Sequence, residues 1–346
     1  MSPVITLPKD LDFLSARVHG RRSRLAEGAY LDELCRIRTV PELARRLYPG
    51  AGLFFAPDLQ RRMVRDMAIE LSGLAAGLAG NDAAFLRWQC VRFQVENLKV
   101  LARGFANKTP LDSLRPHLVE LPDNLALAAA PLAGAASFDA FAEAAPGGPL
   151  REGLKAAREA YHAWPRPFIL ETALDRGYLM ELLRRAGRLA GGERGDVLRL
   201  AAQEADMFHL MLAVRGVFHY RLDPAMLFKL RVPGAALSAR RFAAMLSAPD
   251  PRSAAALAAG RALEAAPDTA DAARIEALAW NRFLRLANKT FRNSHMGAGA
   301  AIGYAAIRRV ELANLITLSE GMRVGLDPQV LRSHLIPRQD GEAGNV

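Results

Sequence analysis

The side chains able to ligate a metal or attack a carbonyl are few and scattered. Glu159-x-x-His162 and Asp206-x-x-His209 have the carboxylate–imidazole step with which paired helices hold two iron ions. Trp164-Pro165 stops the first of these helices almost at His162, and no supporting pair of glutamates accompanies them. Gly297-x-Gly299-x-x-x-Gly303 is not the dinucleotide fingerprint and follows no strand; Lys108-Thr109 and Lys289-Thr290 lack the upstream glycines of a phosphate loop. No Ser or Cys stands in a nucleophile context. Cys35 and Cys90 supply neither a disulfide framework nor a metal quartet, which fits a reducing compartment. The expectation is a chain with no catalytic group, no cofactor and no metal.

The elements that would have to position any such site are written three times. QVENLKVLARGFANKTPLDSLRPHLVELP ends at Pro122, DMFHLMLAVRGVFHYRLDPAMLFKLRVP at Pro233 and VELANLITLSEGMRVGLDPQVLRSHLIP at Pro337. Each segment carries a polar residue (Asn97, His209, Asn314), a Gly seven residues later (Gly104, Gly216, Gly321) and then Leu-Asp (Asp112, Asp223, Asp327). The three Asp residues are 111 and 104 residues apart, so the chain reads as an internal triplication. The pattern predicts a long helix ended by Gly in the left-handed cap, then Asp as N-cap of a short helix. Pro224 and Pro328 fit the first position of that helix. Arg103 and Arg215 before the Gly suit the negative helix end, whereas Glu320 does not. These nine residues read first as punctuation for helix, turn, helix; the sharper reading makes Asn97, His209 and Asn314 polar contacts at an inner surface.

Amphipathic helices are predicted over 58–78 and 83–103, over 168–189 and 195–215, and over 272–292 with a last one running through Ser319. Thr39-Val-Pro-Glu42 has the capping-box pattern, and Ala136-Ser-Phe-Asp-Ala-Phe141 echoes it. A helix over 150–162 and a degenerate helix pair around 249–270 complete the chain. No alternating apolar run persists long enough for a strand. The fold class is therefore all-α, with helical repeats over 1–122, 123–234 and 235–337 and a polar tail, 338–346, expected to fray.

Composition sets the outer limits. Apolar residues make 51% and aromatics only 7%, an Ala- and Leu-rich balance that favours helix. The opening residues do not resemble a signal peptide, and the most apolar stretches fall short of a spanning helix, so a soluble protein is expected. A net charge of +10 suggests an anionic partner, although arginine-rich codon drift accounts for it equally well. Arg17, Arg21, Arg22 and Arg24 form a basic run that reads either as a solvated face or as an ionic contact surface. The alternative function is a basic helical scaffold binding nucleic acid. That role requires aromatics interleaved with the basic stripe, and the aromatics lie instead on apolar faces.

The triplicated helix ends, the Leu-Asp-Pro turn, the segment Ile169-Leu-Glu-Thr-Ala-Leu-Asp175-x-x-Tyr178 and the ending Gly303-Tyr304…Glu311-x-x-Asn314-Leu315 together resemble the C-type subunits of the V-type ATP synthase family, counterparts of the V-ATPase d subunit. The resemblance spans residues 8–337. It implies a funnel of three similar helical domains about a pseudo-threefold axis, peripheral on the cytoplasmic face of the membrane. There the protein would couple the central-shaft subunits (D and F type) to the proteolipid ring during ion transport, without chemistry of its own. His209 in place of Asn, Glu320 in place of Arg, and Ile316-Thr317 depart from the family pattern.

Overall fold

The computed structural model describes residues 11–294 and 297–336. Among them the regular secondary structure is helical, an isolated bridge between Ala259 and Leu263 being the one β feature. Six long helices dominate: α1 (Ala56–Ala76), α2 (Gly80–Asn107), α3 (Pro167–Ala186), α4 (Arg194–Met211), α5 (Ala272–Asn293) and α6 (Ala298–Arg323). Helix α4 continues through Leu212–His219 with π-helical turns.

The starts of these helices follow local chemistry. Pro57 and Pro167 occupy first-turn positions whose N–H would be unsatisfied in any case, and Asp271 accepts from Ala273 N at 2.9 Å. The links within each pair are short. Gly80 and Gly191 turn them with φ of 52° and 80°, which a side chain tolerates poorly.

Each long helix packs against the next in sequence, and α6 packs back against α1. The six therefore close into a ring, with α4 also touching α6 across it. Helix α6 is buried on nearly every side, from Ile302 and Tyr304 through Ile307 and Leu315 to Leu318. Each such fully buried aliphatic side chain contributes about 1.5–3 kcal/mol relative to exposure. Close crossing needs glycine at Gly303, where an added Cβ would lie 2.5 Å from the Phe291 backbone nitrogen on α5.

Short helices precede each long pair. Those beginning after Thr39, Ser137 and Ser238 share one design: the hydroxyl accepts from the backbone N–H three residues on. Four residues after each cap stands a fully buried apolar side chain, Leu43, Phe141 or Phe242. Each group packs on the second long helix of the pair before it. Phe141 stacks on Phe105 of α2, Phe242 lies against His209 of α4, and the helix bearing Leu43 packs on α6. Packing thus crosses Pro122 and Pro233.

Several sequence expectations change. Gly104, Gly216 and Gly321 do not end their helices; they lie inside them, and the left-handed residues are Lys108, Arg221 and Gly325. Asp223 and Asp327 do cap the short helices that follow. Asp112 does not: Pro110 heads that helix, and Asp112 is an exposed first-turn residue bonded to Arg115 at 3.2 Å. Counting back four from the buried Leu227 and Leu331 gives Asp223 and Asp327, whereas from Leu114 it gives Pro110. The Leu-Asp of the first segment is therefore out of spatial register. The helix over 150–162 is two, Pro149–Ala156 and Arg158–Ala163, and the predicted pair around 249–270 is Ala239–Leu246 and Pro251–Ala256 with irregular chain after it. Pro337 and the tail lie outside the described residues.

Candidate functional site

The three polar residues singled out from the sequence act alike. Asn97 donates to Val119 O at 2.7 Å and accepts from Val119 N at 2.9 Å. Asn314 does the same to Ile336, at 3.0 and 2.9 Å. His209 accepts from Val232 N at 2.9 Å through Nε2, but its buried Nδ1 has no hydrogen-bond partner. An amide can satisfy both the N–H and the C=O of one extended residue, whereas imidazole in this pose reaches only the N–H. The Gly residues serve the same fold-back: a Cβ on Gly104, Gly216 or Gly321 would lie 2.2, 2.8 or 2.4 Å from Cδ1 of Leu114, Leu227 or Leu331. The spacing from Gly to Leu is ten residues in the outer segments and eleven in the middle one. The π-turns of α4 coincide with that extra residue.

The residue before each Gly makes a contact that the dipole reading missed. Arg103 at the end of α2 donates to Glu171 of α3 at 2.9 Å, and Arg215 donates to Glu276 of α5 at 2.5 Å. Glu320 of α6 accepts from Gln60 of α1 at 2.6 Å. Glu171, Glu276 and Gln60 are each the fifth residue of their helix. The exchange of Arg for Glu at position 320 is matched by the exchange of Glu for Gln at position 60.

Inside the ring a third set of positions converges. Arg92, Glu204 and Arg309 stand five residues before Asn97, His209 and Asn314. Arg309 pairs with Glu204 at 2.6 Å and lies 5.2 and 5.0 Å from the ring centroids of Trp280 and Phe283. Arg92 pairs with Asp175 at 2.9 Å and Glu96 at 3.0 Å, and Lys99 joins the same two carboxylates at 2.8 and 3.2 Å. Burial works against charge on Arg92, but Asp175 and then Glu96 outweigh it and hold the guanidinium more firmly protonated than usual. Burial likewise opposes charge on Glu96, and Arg92 with Lys99 pulls it below the ordinary carboxylate range.

Arg92, Lys99, Asp175, Glu204, Trp280 and Arg309 border a cavity of about 270 Å³ that is also lined by Phe168 and Tyr220, whose rings lie 4.5 Å apart. The carboxylates that line it face cations, and no Ser, Cys or His is among its walls. Such a site can receive and orient a partner group.

Other candidates separate. Glu159 pairs with Lys229 at the surface, while Asp206 and His209 are buried, so the two carboxylate–imidazole steps have different surroundings. Arg21 pairs with Glu70 and Arg22 with Glu27; Arg17 and Arg24 remain exposed. Glu70 also accepts from Tyr304 at 2.6 Å and pairs with Arg308 at 3.4 Å, tying the N-terminal helix and α1 to α6. Arg103, Arg215 and Glu320, and likewise Arg92, Glu204 and Arg309, were visible in the sequence only as fixed offsets from the Asn/His/Asn register.

Among the described residues no helix is long and apolar enough to cross a membrane. No curated protein matches the sequence. The sequence model of the family described as ATP synthase (C/AC39) subunit matches residues 14–334, nearly the whole of the 346-residue chain. With a helical fold throughout and the family's sequence pattern along almost its full length, the chain belongs to the ATP synthase (C/AC39) subunit family of the V-type ATP synthases.

Proposed function

We propose that this protein is the non-catalytic socket of the central stalk, joining the shaft (subunits of D and F type) to the membrane proteolipid ring for ion transport. The observation that carries the reading is the cyclic set of contacts Arg103–Glu171, Arg215–Glu276 and Gln60–Glu320. One contact type, at one helical position, recurs at each junction between pairs, as a threefold collar built from a triplicated unit requires. In this reading residues 1–122, 123–234 and 235–337 are the repeats of a funnel, with 338–346 as a tail. Asn97, His209 and Asn314 fasten each return segment, Gly104, Gly216 and Gly321 admit the short helix, and Asp223 and Asp327 start it, with Asp112 left outside the pattern.

A coupling part needs stiffness and shape, which a closed ring of packed long helices supplies. The protein sits peripherally on the cytoplasmic face, its shaft within the ring, and takes neither nucleic acid nor a small-molecule substrate. Exposed Arg17 and Arg24 add to the attraction toward an anionic bilayer surface, each near-surface cation being worth about 1 kcal/mol.

The test is reconstitution of the whole complex with and without this protein. Omission is expected to leave ATP hydrolysis by the soluble head intact and abolish ATP-driven ion uptake into vesicles. Undiminished uptake without it refutes the reading.

A further inference from the structure

A socket that transmits torque faces a mechanical problem. A round peg on the axis of a ring turns it only by friction, whereas a lobe seated off the axis turns it by direct contact. The interior of this ring is not evenly open. The cavity is walled by α2, α3, α4 and α5, with Arg309 alone from α6 and no residue of α1. On the α1 side Met67, Leu71, Phe93 and Ala306 close around a void of only about 10 Å³.

Matching positions on the pairs explain the imbalance. Where α3 and α5 present Asp175 and Trp280 to the cavity, the same position on α1 is Val64. Where α2 and α4 present Lys99 and Met211, α6 has Ile316. Arg92 and Arg309 share their position in the pairs with a single acid, Glu204. Arg309 takes it, and Arg92 turns to Asp175 and Glu96. The residue that the π-turns add to α4 precedes Tyr220, which lines the same cavity, stands 44% exposed and packs on Phe168.

We infer that the socket is keyed: the shaft tip carries an off-axis lobe that enters the cavity between α2 and α5, so that shaft and collar engage at one angular setting out of three. The inference rests on the socket reading of the ring. The key is the set Lys99, Asp175, Met211, Tyr220 and Trp280, whose counterparts elsewhere in the ring are different residues or closed core.

The test uses the full-length protein and the purified shaft subunits of the same complex. Arg103, Arg215 and Glu320 occupy equivalent positions at the three junctions and are 49%, 48% and 40% exposed. Each is replaced in turn by a photo-crosslinking amino acid. Co-elution with the shaft is measured first, then crosslinked peptides are mapped by mass spectrometry.

Positions 103 and 215 flank the cavity and are expected to capture two different shaft peptides, one each, with capture from position 320 at least tenfold weaker. The same shaft peptides captured from all three positions, or a bound shaft captured from neither 103 nor 215, overturns the key while leaving the socket standing. A shaft that fails to co-elute with the unmodified protein removes the socket reading itself.

Discussion

Gln60 Nε2 donates to Glu320 Oε1 across 2.6 Å, joining the first long helix of the chain to the last and closing the ring where no covalent continuity exists. The other two junctions use Arg–Glu pairs at the same positions. Replacing Gln60 by Glu places like charges in contact and should destabilise the protein by a few tenths to about 1 kcal/mol. Combining Gln60→Glu with Glu320→Arg recreates the pairing of the other junctions and should recover most of that loss. Urea midpoints of the single and double variants decide it; additive effects mean the residues are not coupled.

Asn97→Ala and Asn314→Ala each strip both partners from one backbone residue, half-buried Val119 or buried Ile336. A cost of about 2–4 kcal/mol apiece is expected from two lost bonds and the stranded N–H and C=O. Chemical denaturation of the purified variants measures it, and a loss below about 0.5 kcal/mol contradicts the clamp.

The three glycines should differ in tolerance. Gly→Ala in a helix gains about 1 kcal/mol of propensity, while a Cβ forced into a packed core costs about 1–3 kcal/mol. The contact at Gly216 is the loosest, at 2.8 Å against 2.2 Å at Gly104 and 2.4 Å at Gly321. Gly216→Ala is therefore expected to be near neutral, and Gly104→Ala and Gly321→Ala destabilising, in thermal melts run side by side. Adding Leu331→Ala to Gly321→Ala should cost less than the sum of the two single changes, because the clash is then absent.

Asp206 and His209, whose Oδ1 and Nδ1 lie 4.0 Å apart, have opposite shifts that leave the pair with one proton in total near pH 5. Burial pushes Asp206 up to about 7, partly offset by its bond from Leu237 N, and burial with help from Arg231 pushes His209 down to about 3. Between pH 4 and 6.5 the unfolded chain carries that proton on His and the folded chain carries it on Asp, so the pair adds no slope to stability. His209→Asn leaves a carboxyl with a raised value, and stability relative to wild type should fall as pH rises from about 4 toward 7. Asp206→Asn leaves an imidazole with a lowered value, and relative stability should fall as pH drops below about 6.5. Each slope is at most about 1.4 kcal/mol per pH unit. Parallel slopes in urea titrations at pH 4.5–7 would contradict these opposite shifts.

Glu70 holds the N-terminal helix to α6 through Arg21, Tyr304 and Arg308. Burial opposes its charge, but Tyr304, Arg21 and Arg308 together keep it below the ordinary carboxylate range. Its contribution is therefore complete above the unfolded value near 4.5 and fades as pH falls through the lower folded value. Glu70→Ala strands partly buried cations and should cost roughly 3 kcal/mol at neutral pH, read by denaturant unfolding. It should also speed exchange of the amides in residues 11–22.

By itself the sequence determined the helices, their pairing by short links, and the residues that recur, because helical period, caps and glycine or proline punctuation act over a few residues. Asn97, His209 and Asn314 were legible as polar residues on apolar faces, and their partners lie 22 or 23 residues ahead within one segment. The role of the glycines was misread because a left-handed cap and a close helix crossing both call for glycine, and only the position of Leu114, Leu227 and Leu331 distinguishes them. Asp112 was misassigned because the letters Leu-Asp repeat where the spatial register does not. What the tertiary structure alone decided was the closure of α6 on α1, the junction partners and the off-centre cavity. Those contacts join residues 60 and 320, 103 and 171, or 204 and 309, separations over which no local preference of the backbone can act.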